Sequence, residues 1–146
     1  MLKGIPALLS PELLKTLMEM GHGDEICIGD GNFPHESINS RTIRCDGHGV
    51  PELLEAILQL YPLDTYTSRP VALMAVTPGD PVKTPIWDTY QSIISEKDGR
   101  DGSDLIEYVE RFAFYERARK CYAVIATGEK ALYANIILKK GVVVES

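Results

Sequence analysis

Apolar residues recur along this chain in two rhythms, one of helical spacing and one of short unbroken runs. Behind Ser10-Pro11-Glu12, the residues Leu13, Leu14, Leu17, Met18 and Met20 form an apolar stripe at helical spacing. Ser10 can cap this helix, Pro11 suits its first position and Glu12 complements its positive end. Gly21 ends it. Gly21 and Gly23 flank His22, so the turn can be sharp and can present the imidazole. A strand over 25–29 follows, with Ile26-Cys27-Ile28 as its apolar run. Gly29-Asp30-Gly31-Asn32 breaks that strand and leaves Asp30 at its carboxyl end, the edge where open α/β sheets bind ligands. Residues 30–40 lack periodicity and read as a loop holding Phe33 and His35.

Further along, 42–45 reads as a short strand and 46–49 as a turn that accounts for His48. Pro51 starts a second helix with Leu53, Leu54, Ile57, Leu58 and Tyr61 on one face, stopped by Pro62. The run 71–76 suits a strand buried on both faces. A loop with three prolines spans 77–85. Pro85 opens a third helix that turns Ile86, Trp87, Tyr90, Ile93 and Ile94 inward. Residues 97–102 read as an exposed, mobile turn. The stretch 106–110 fits strand or helix, 111–118 a helix, 121–127 a buried strand and 136–138 another. The residues 142–144 read as a terminal strand. Apolar strands alternating with amphipathic helices predict a single α/β domain over 1–146, layered α/β/α around a mainly buried sheet.

Composition narrows the possibilities. At 146 residues the chain is long enough for one sizeable core. A net charge of −6 argues against nucleic acid or an anionic membrane as partner, because phosphate neutralisation needs clustered Lys and Arg. No apolar run approaches a membrane span, and the first residues lack the pattern of a signal peptide, so a cytoplasmic location is expected. Cys27, Cys45 and Cys121 are widely spaced and read as buried thiols. Neither they nor His22, His35 and His48 have metal-ligand spacing, so no metal or other cofactor is expected. Phosphate-cradling glycine loops and the Gly-x-Ser-x-Gly elbow are absent.

What remains is polar groups at strand ends: His22, Asp30, Arg111, Tyr133 and Asn135. Imidazole, carboxylate and phenol can move protons, while guanidinium and amide donate to oxygen. The set suits acid–base chemistry on a polar, neutral molecule. Each member also has a plain structural explanation. His22 could be a helix-end contact, Asp30 a turn former, Arg111 a partner of Glu107 or Glu110, and Tyr133 a strand-end aromatic.

Many ordered blocks carry a resemblance that runs nearly end to end. They include Met-Gly-His-Gly-Asp-Glu-Ile at 20–26, Asp-x-Asn-Phe-Pro at 30–34, Pro-Leu-Asp-Thr-Tyr at 62–66, Thr-Pro-Ile-Trp at 84–87, Glu-Arg-Phe-x-Phe-Tyr-Glu-Arg-Ala at 110–118 and Tyr-x-Asn-Ile-Ile-Leu-Lys-Lys-Gly at 133–141. On these the chain resembles the fucose mutarotase branch of the family that also contains ribose pyranase. The resemblance implies interconversion of the α and β anomers of a pyranose, L-fucose above all, with pyranose–furanose exchange on D-ribose as the related alternative. A non-catalytic sugar-binding accessory of transport is the reading from another class. The family's proton donor falls on His22, and its sugar-binding positions fall on Asp30, Arg111 and the stretch Tyr133, Ala134 and Asn135. Asp30 would hold sugar hydroxyls and could bias the charge of His22, Tyr133 would be a second proton relay or an oxygen ligand, and Arg111 and Asn135 would orient the sugar. The family implies a homo-oligomer, decameric in bacteria and dimeric in animals. One departure is visible: Ala134 stands where the family usually has glycine, which bears on the pocket width or the backbone angle there.

Overall fold

A computed structural model describes residues 1–145. Its helices are α1 (Pro11–Glu19), α2 (His35–Ile38), α3 (Val50–Leu58), α4 (Pro85–Asp98) and α5 (Arg111–Lys120). Its strands are β1 (Glu25–Gly29), β2 (Thr42–Cys45), β3 (Val71–Met74), β4 (Ile106–Val109), β5 (Ala123–Thr127) and β6 (Ile136–Lys139). They form one mixed sheet in the order β2-β5-β1-β6-β3-β4. All neighbours run parallel except at β6, which is antiparallel to both β1 and β3. As a result the carboxyl ends of β1, β3, β4 and β5 share one sheet edge with the amino end of β6.

Strand alternation builds two cores. Ile26 and Ile28 of β1 and Ile136 and Leu138 of β6 face α1, α3 and α4. Cys27 and Ile137 face the opposite way, toward Phe33, Ile38 and Phe114. Successive strand residues point to opposite faces, so one buried strand serves both layers. The expected α/β/α layering of a buried sheet is what the chain adopts.

The helix ends follow local chemistry. Ser10 Oγ accepts from the Leu13 N–H at 3.1 Å, and Pro11 is the first helical residue. Glu110 caps α5 by accepting from the Ala113 N–H at 3.0 Å. Gly99 closes α4 in the left-handed conformation at φ 90°.

Several expectations need correction. The 30–40 loop contains the short helix α2, and His35 is a buried part of it, not a loop residue. Met18 lies on the outer face of α1, where its place in the apolar stripe does not bury it. The 97–102 turn is shorter than expected, because α4 runs through Asp98. Gly102 is buried, and a Cβ there would collide with the Gln91 carbonyl. The ambiguous stretch after Leu105 is the strand β4, drawn out by pairing with β3. Residues 142–144 pair with nothing in the sheet and are exposed valines, since β6 is already flanked by β1 and β3. The three cysteines are buried and free, as the apolar runs around them suggest.

Candidate active site

Four of the residues singled out in the sequence meet in one cavity at the shared sheet edge. Asp30 leaves the end of β1, Asn135 and Tyr133 lead into β6, and Arg111 opens α5 directly after β4. Met74, Phe33 and Leu132 give the cavity apolar walls, and Tyr115 and Asp80 complete its polar rim. The volume is about 240 Å³. Pockets for drug-sized ligands begin near 300 Å³, so this one suits a smaller molecule such as a monosaccharide.

Asp30 is buried, only 5% exposed, as is Asn135 beside it. Burial pushes its carboxyl above the ordinary range, and backbone hydrogen bonds from Asn32, Ala134 and Phe33 partly offset that. Its own N–H donates to Asn135 Oδ1 at 2.7 Å. That bond settles which end of the Asn135 amide is oxygen, and leaves its NH₂ as a donor for the cavity.

Tyr133 is the one non-glycine residue with positive φ among the described residues, at 54°. Side chains resist this left-handed conformation by roughly 1–2 kcal/mol, so neighbours must hold it. The helix α4 does so. The Trp87 indole N–H donates to the Tyr133 carbonyl at 2.8 Å, and the Tyr90 hydroxyl donates to the next carbonyl, Ala134, at 2.7 Å. Burial raises the Tyr90 hydroxyl far above the ordinary phenol range, so it remains a donor.

Ala134 itself is fully buried and is not among the residues that line the cavity. The unusual backbone angle belongs to Tyr133, so the methyl of Ala134 requires none. Its part in the site is its backbone, which supports Asp30 with the N–H and accepts from Tyr90 with the carbonyl. Arg111 pairs with neither Glu107 nor Glu110. Its Nε donates to Tyr115 Oη at 3.2 Å, one helical turn away. Glu107 is taken by Arg117, and Glu110 is spent on the α5 cap.

His22 stands elsewhere. It precedes β1, whereas Asp30 follows it, so the strand's length of about 16 Å separates the two ends. Gly23 is tied to Lys140 beyond the far end of β6. Asp30 therefore cannot bias the charge of His22 within one chain. The carboxylate beside His22 is Asp64, with Nε2 and Oδ1 2.9 Å apart. Asp64 is 2% exposed. Burial would raise its carboxyl, but hydrogen bonds from His22, Thr67 and Tyr66 outweigh that and hold it at about 2. The imidazole face lies against Tyr66, ring centroids 5.1 Å apart.

Asp64, Asp80 and Tyr115 were not identified from the sequence. Tyr115 could have been, because it lies four residues after Arg111 on a helix and so on the same face. Asp64 lies in a block that carries the resemblance. Asp80 sits in a proline-rich loop, where nothing sets it apart from a turn former. Among the described residues, no cluster of three or more His, Cys, Asp and Glu could hold a metal ion. No helix of the described residues is long and apolar enough to cross a membrane.

Comparison with known proteins places this chain among relatives of the same fold. A bovine (Bos taurus) protein named fucose mutarotase is 56% identical over 147 residues, covering 97% of this chain and 94% of the relative. The crystal structure of FucU from Bifidobacterium longum superposes with a TM-score of 0.94 at 58% identity, covering 97% of this chain and all of that one. The fucose mutarotase of Streptococcus pneumoniae, solved in complex with L-fucose, gives a TM-score of 0.93 at 55% identity, covering 98% of this chain and all of that one. A family model matches residues 3–143, a span that contains every strand of the sheet and every residue that lines the cavity. With sequence, fold and relatives in agreement over this length, the chain belongs to the RbsD / FucU transport protein family.

Proposed function

We propose that this chain is an isomerase that interconverts the α and β anomers of L-fucose. The observation that carries the reading is the convergence of Asp30, Arg111, Tyr133 and Asn135 on a cavity of monosaccharide size. Its weight comes from relatives that are more than half identical and are named for this activity.

The chemistry needs proton transfers only. An acid protonates the ring oxygen while a base takes the proton of the anomeric hydroxyl, and the ring opens. The aldehyde rotates about the bond to its neighbouring carbon. The ring then recloses on either face with the roles reversed. Positioned acid–base groups supply about 10²–10⁴-fold in such steps. In this reading Asp30 and the Asn135 amide hold sugar hydroxyls, Arg111 donates at the mouth, and Tyr133 meets the anomeric hydroxyl. The apolar face of Met74 and Phe33 gives the 6-methyl group of a deoxy sugar a dry surface.

His22 enters from a second copy of the chain. The imidazole side chain is 45% exposed at the far sheet edge, and Tyr66 beside it is 81% exposed. At the cavity Leu132 is 51% exposed, and Phe112, which packs against the lining residues Arg111 and Tyr115, is 66% exposed. Two open apolar surfaces on opposite edges of one chain suit a head-to-tail contact, which closes into a ring when its rotation allows. Asp64 then orients the imidazole through its contact with Nε2. A cytoplasmic setting belongs to the same proposal and suits three free thiols.

The test is exchange NMR on the anomeric protons of L-fucose at catalytic protein concentration, with D-ribose alongside. Acceleration with L-fucose supports the reading. Acceleration confined to ribose moves the activity to pyranose–furanose exchange. Binding with exchange at the uncatalysed rate makes the protein a sugar carrier.

A further inference from the structure

The phenol oxygen of Tyr133 makes two hydrogen bonds, and together they decide what it can offer a substrate. Its O–H donates to Asp80 Oδ2 at 2.7 Å. The backbone N–H of Thr77 donates to the same oxygen at 3.3 Å. A phenol has one proton and two lone pairs. The proton is committed to Asp80 and one lone pair to Thr77, so a lone pair is what remains for the cavity. Toward a sugar hydroxyl, Tyr133 is an acceptor.

Both partners come from one turn. Gly79 takes φ 88°, and the Asp80 N–H donates to the Thr77 carbonyl at 3.0 Å. This folds the loop so that the Thr77 N–H and the Asp80 carboxylate reach the same oxygen. The loop leads into α4, whose Trp87 and Tyr90 hold Tyr133 and Ala134 from behind. The left-handed conformation of Tyr133 and the Asp80 turn are thus two halves of one arrangement.

We propose that Asp80 and Tyr133 form a proton-accepting pair, in which the anomeric hydroxyl gives its proton to Tyr133 as the Tyr133 proton passes to Asp80. The inference rests on the mutarotase reading above. A neutral phenol is a weak base by itself, and the carboxylate makes it effective because Tyr133 never has to carry positive charge. The electron pair left on the anomeric oxygen becomes the carbonyl double bond. The bond from the anomeric carbon to the ring oxygen breaks, its pair goes to the ring oxygen, and that oxygen takes the proton of the acid opposite. Tyr133 ends neutral and Asp80 ends as a carboxylic acid. Reclosure returns each proton, so the cycle consumes nothing. Asp80 acts through Tyr133 and is a positioning and proton-accepting partner.

Asp80→Asn separates this role from a structural one. An amide oxygen still accepts the Tyr133 hydrogen bond but does not take up its proton. The variant is expected to lose on the order of 10²-fold in kcat, with KM within a few-fold of wild type and thermal unfolding unchanged. Asp80→Glu keeps the carboxylate and is expected to recover part of the loss. Tyr133→Phe removes the relay, so adding Asp80→Asn to it is expected to cost nothing more. The proposal is overturned if Asp80→Asn keeps wild-type kcat, or if the double variant shows the full product of the two losses. Wild-type protein that fails to accelerate L-fucose exchange removes the mutarotase reading itself, and this pair with it.

Discussion

Asp64 and Gly29 show how single positions carry this structure. Asp64 sits at about 2 in the fold, against about 3.9 for a free carboxylate, so the fold favours its charged form. The resulting stability, about 2–3 kcal/mol by linkage, is complete above about pH 4 and is lost as pH falls toward 2. Urea unfolding between pH 2 and 7 is expected to show this loss in the wild type, while Asp64→Asn shows a flatter profile from a lower starting stability. Gly29 has a different constraint. A Cβ there would strike the His35 imidazole and stand 2.8 Å from Phe33 Cβ. His35 is buried, and its Nε2 has no hydrogen-bond partner among the described residues. It cannot swing aside without disturbing Phe33, whose ring lies 5.2 Å away on the wall of the cavity. Gly29→Ala is therefore expected to cost roughly 1–3 kcal/mol in chemical denaturation and to weaken sugar binding. The sequence presents Gly29 as the breaker at a strand end. The collision that demands glycine lies six residues downstream in a helix that local pattern does not reveal.

At the scale of elements, α4 is the support of the site. It contributes no cavity wall, yet its Trp87 and Tyr90 fix two successive carbonyls of the segment that delivers Tyr133 and Asn135. Tyr90→Phe keeps the packing and leaves the Ala134 carbonyl unpaired in a fully buried place, which costs about 1–3 kcal/mol. Denaturation should report that loss, and the anomer assay should show reduced kcat because Tyr133 is freed to leave its left-handed conformation. The inward face of α4 was legible in the chain, since Ile86, Trp87, Tyr90, Ile93 and Ile94 share a helical stripe. Its purpose was not, because apolar spacing does not say which carbonyl an indole or phenol will reach. Strands β1, β3, β5 and β6 were legible as short apolar runs and β2 as a short strand, whereas the stretch that became β4 fitted strand or helix equally and was settled by its pairing with β3. The reversal of β6 was not, since direction depends on which strands flank it. That reversal brings the amino end of β6, with Asn135, to the edge where Asp30 emerges.

For the whole molecule, His22 is the decisive residue. The chain presents it beside Asp30 in sequence, eight positions away, and the sheet then sends the two to opposite edges. Sequence proximity concealed this, because β1 between them is a full strand. The cavity holds Asp30, Arg111, Tyr133 and Asn135, the groups proposed to grip a sugar, and the far edge holds the imidazole with Asp64. A repeated head-to-tail contact satisfies both. Light scattering is accordingly expected to show an oligomer, and dilution below its dissociation range is expected to lower activity per chain. The most direct test is co-expression of two inactive variants, His22→Ala and Asp30→Asn, followed by the L-fucose exchange assay. If each active site combines His22 of one copy with Asp30 of the next, the mixed oligomer regains up to about a quarter of wild-type sites, while each variant alone has none. A mixed oligomer as inactive as its parents would contradict an active site shared between copies.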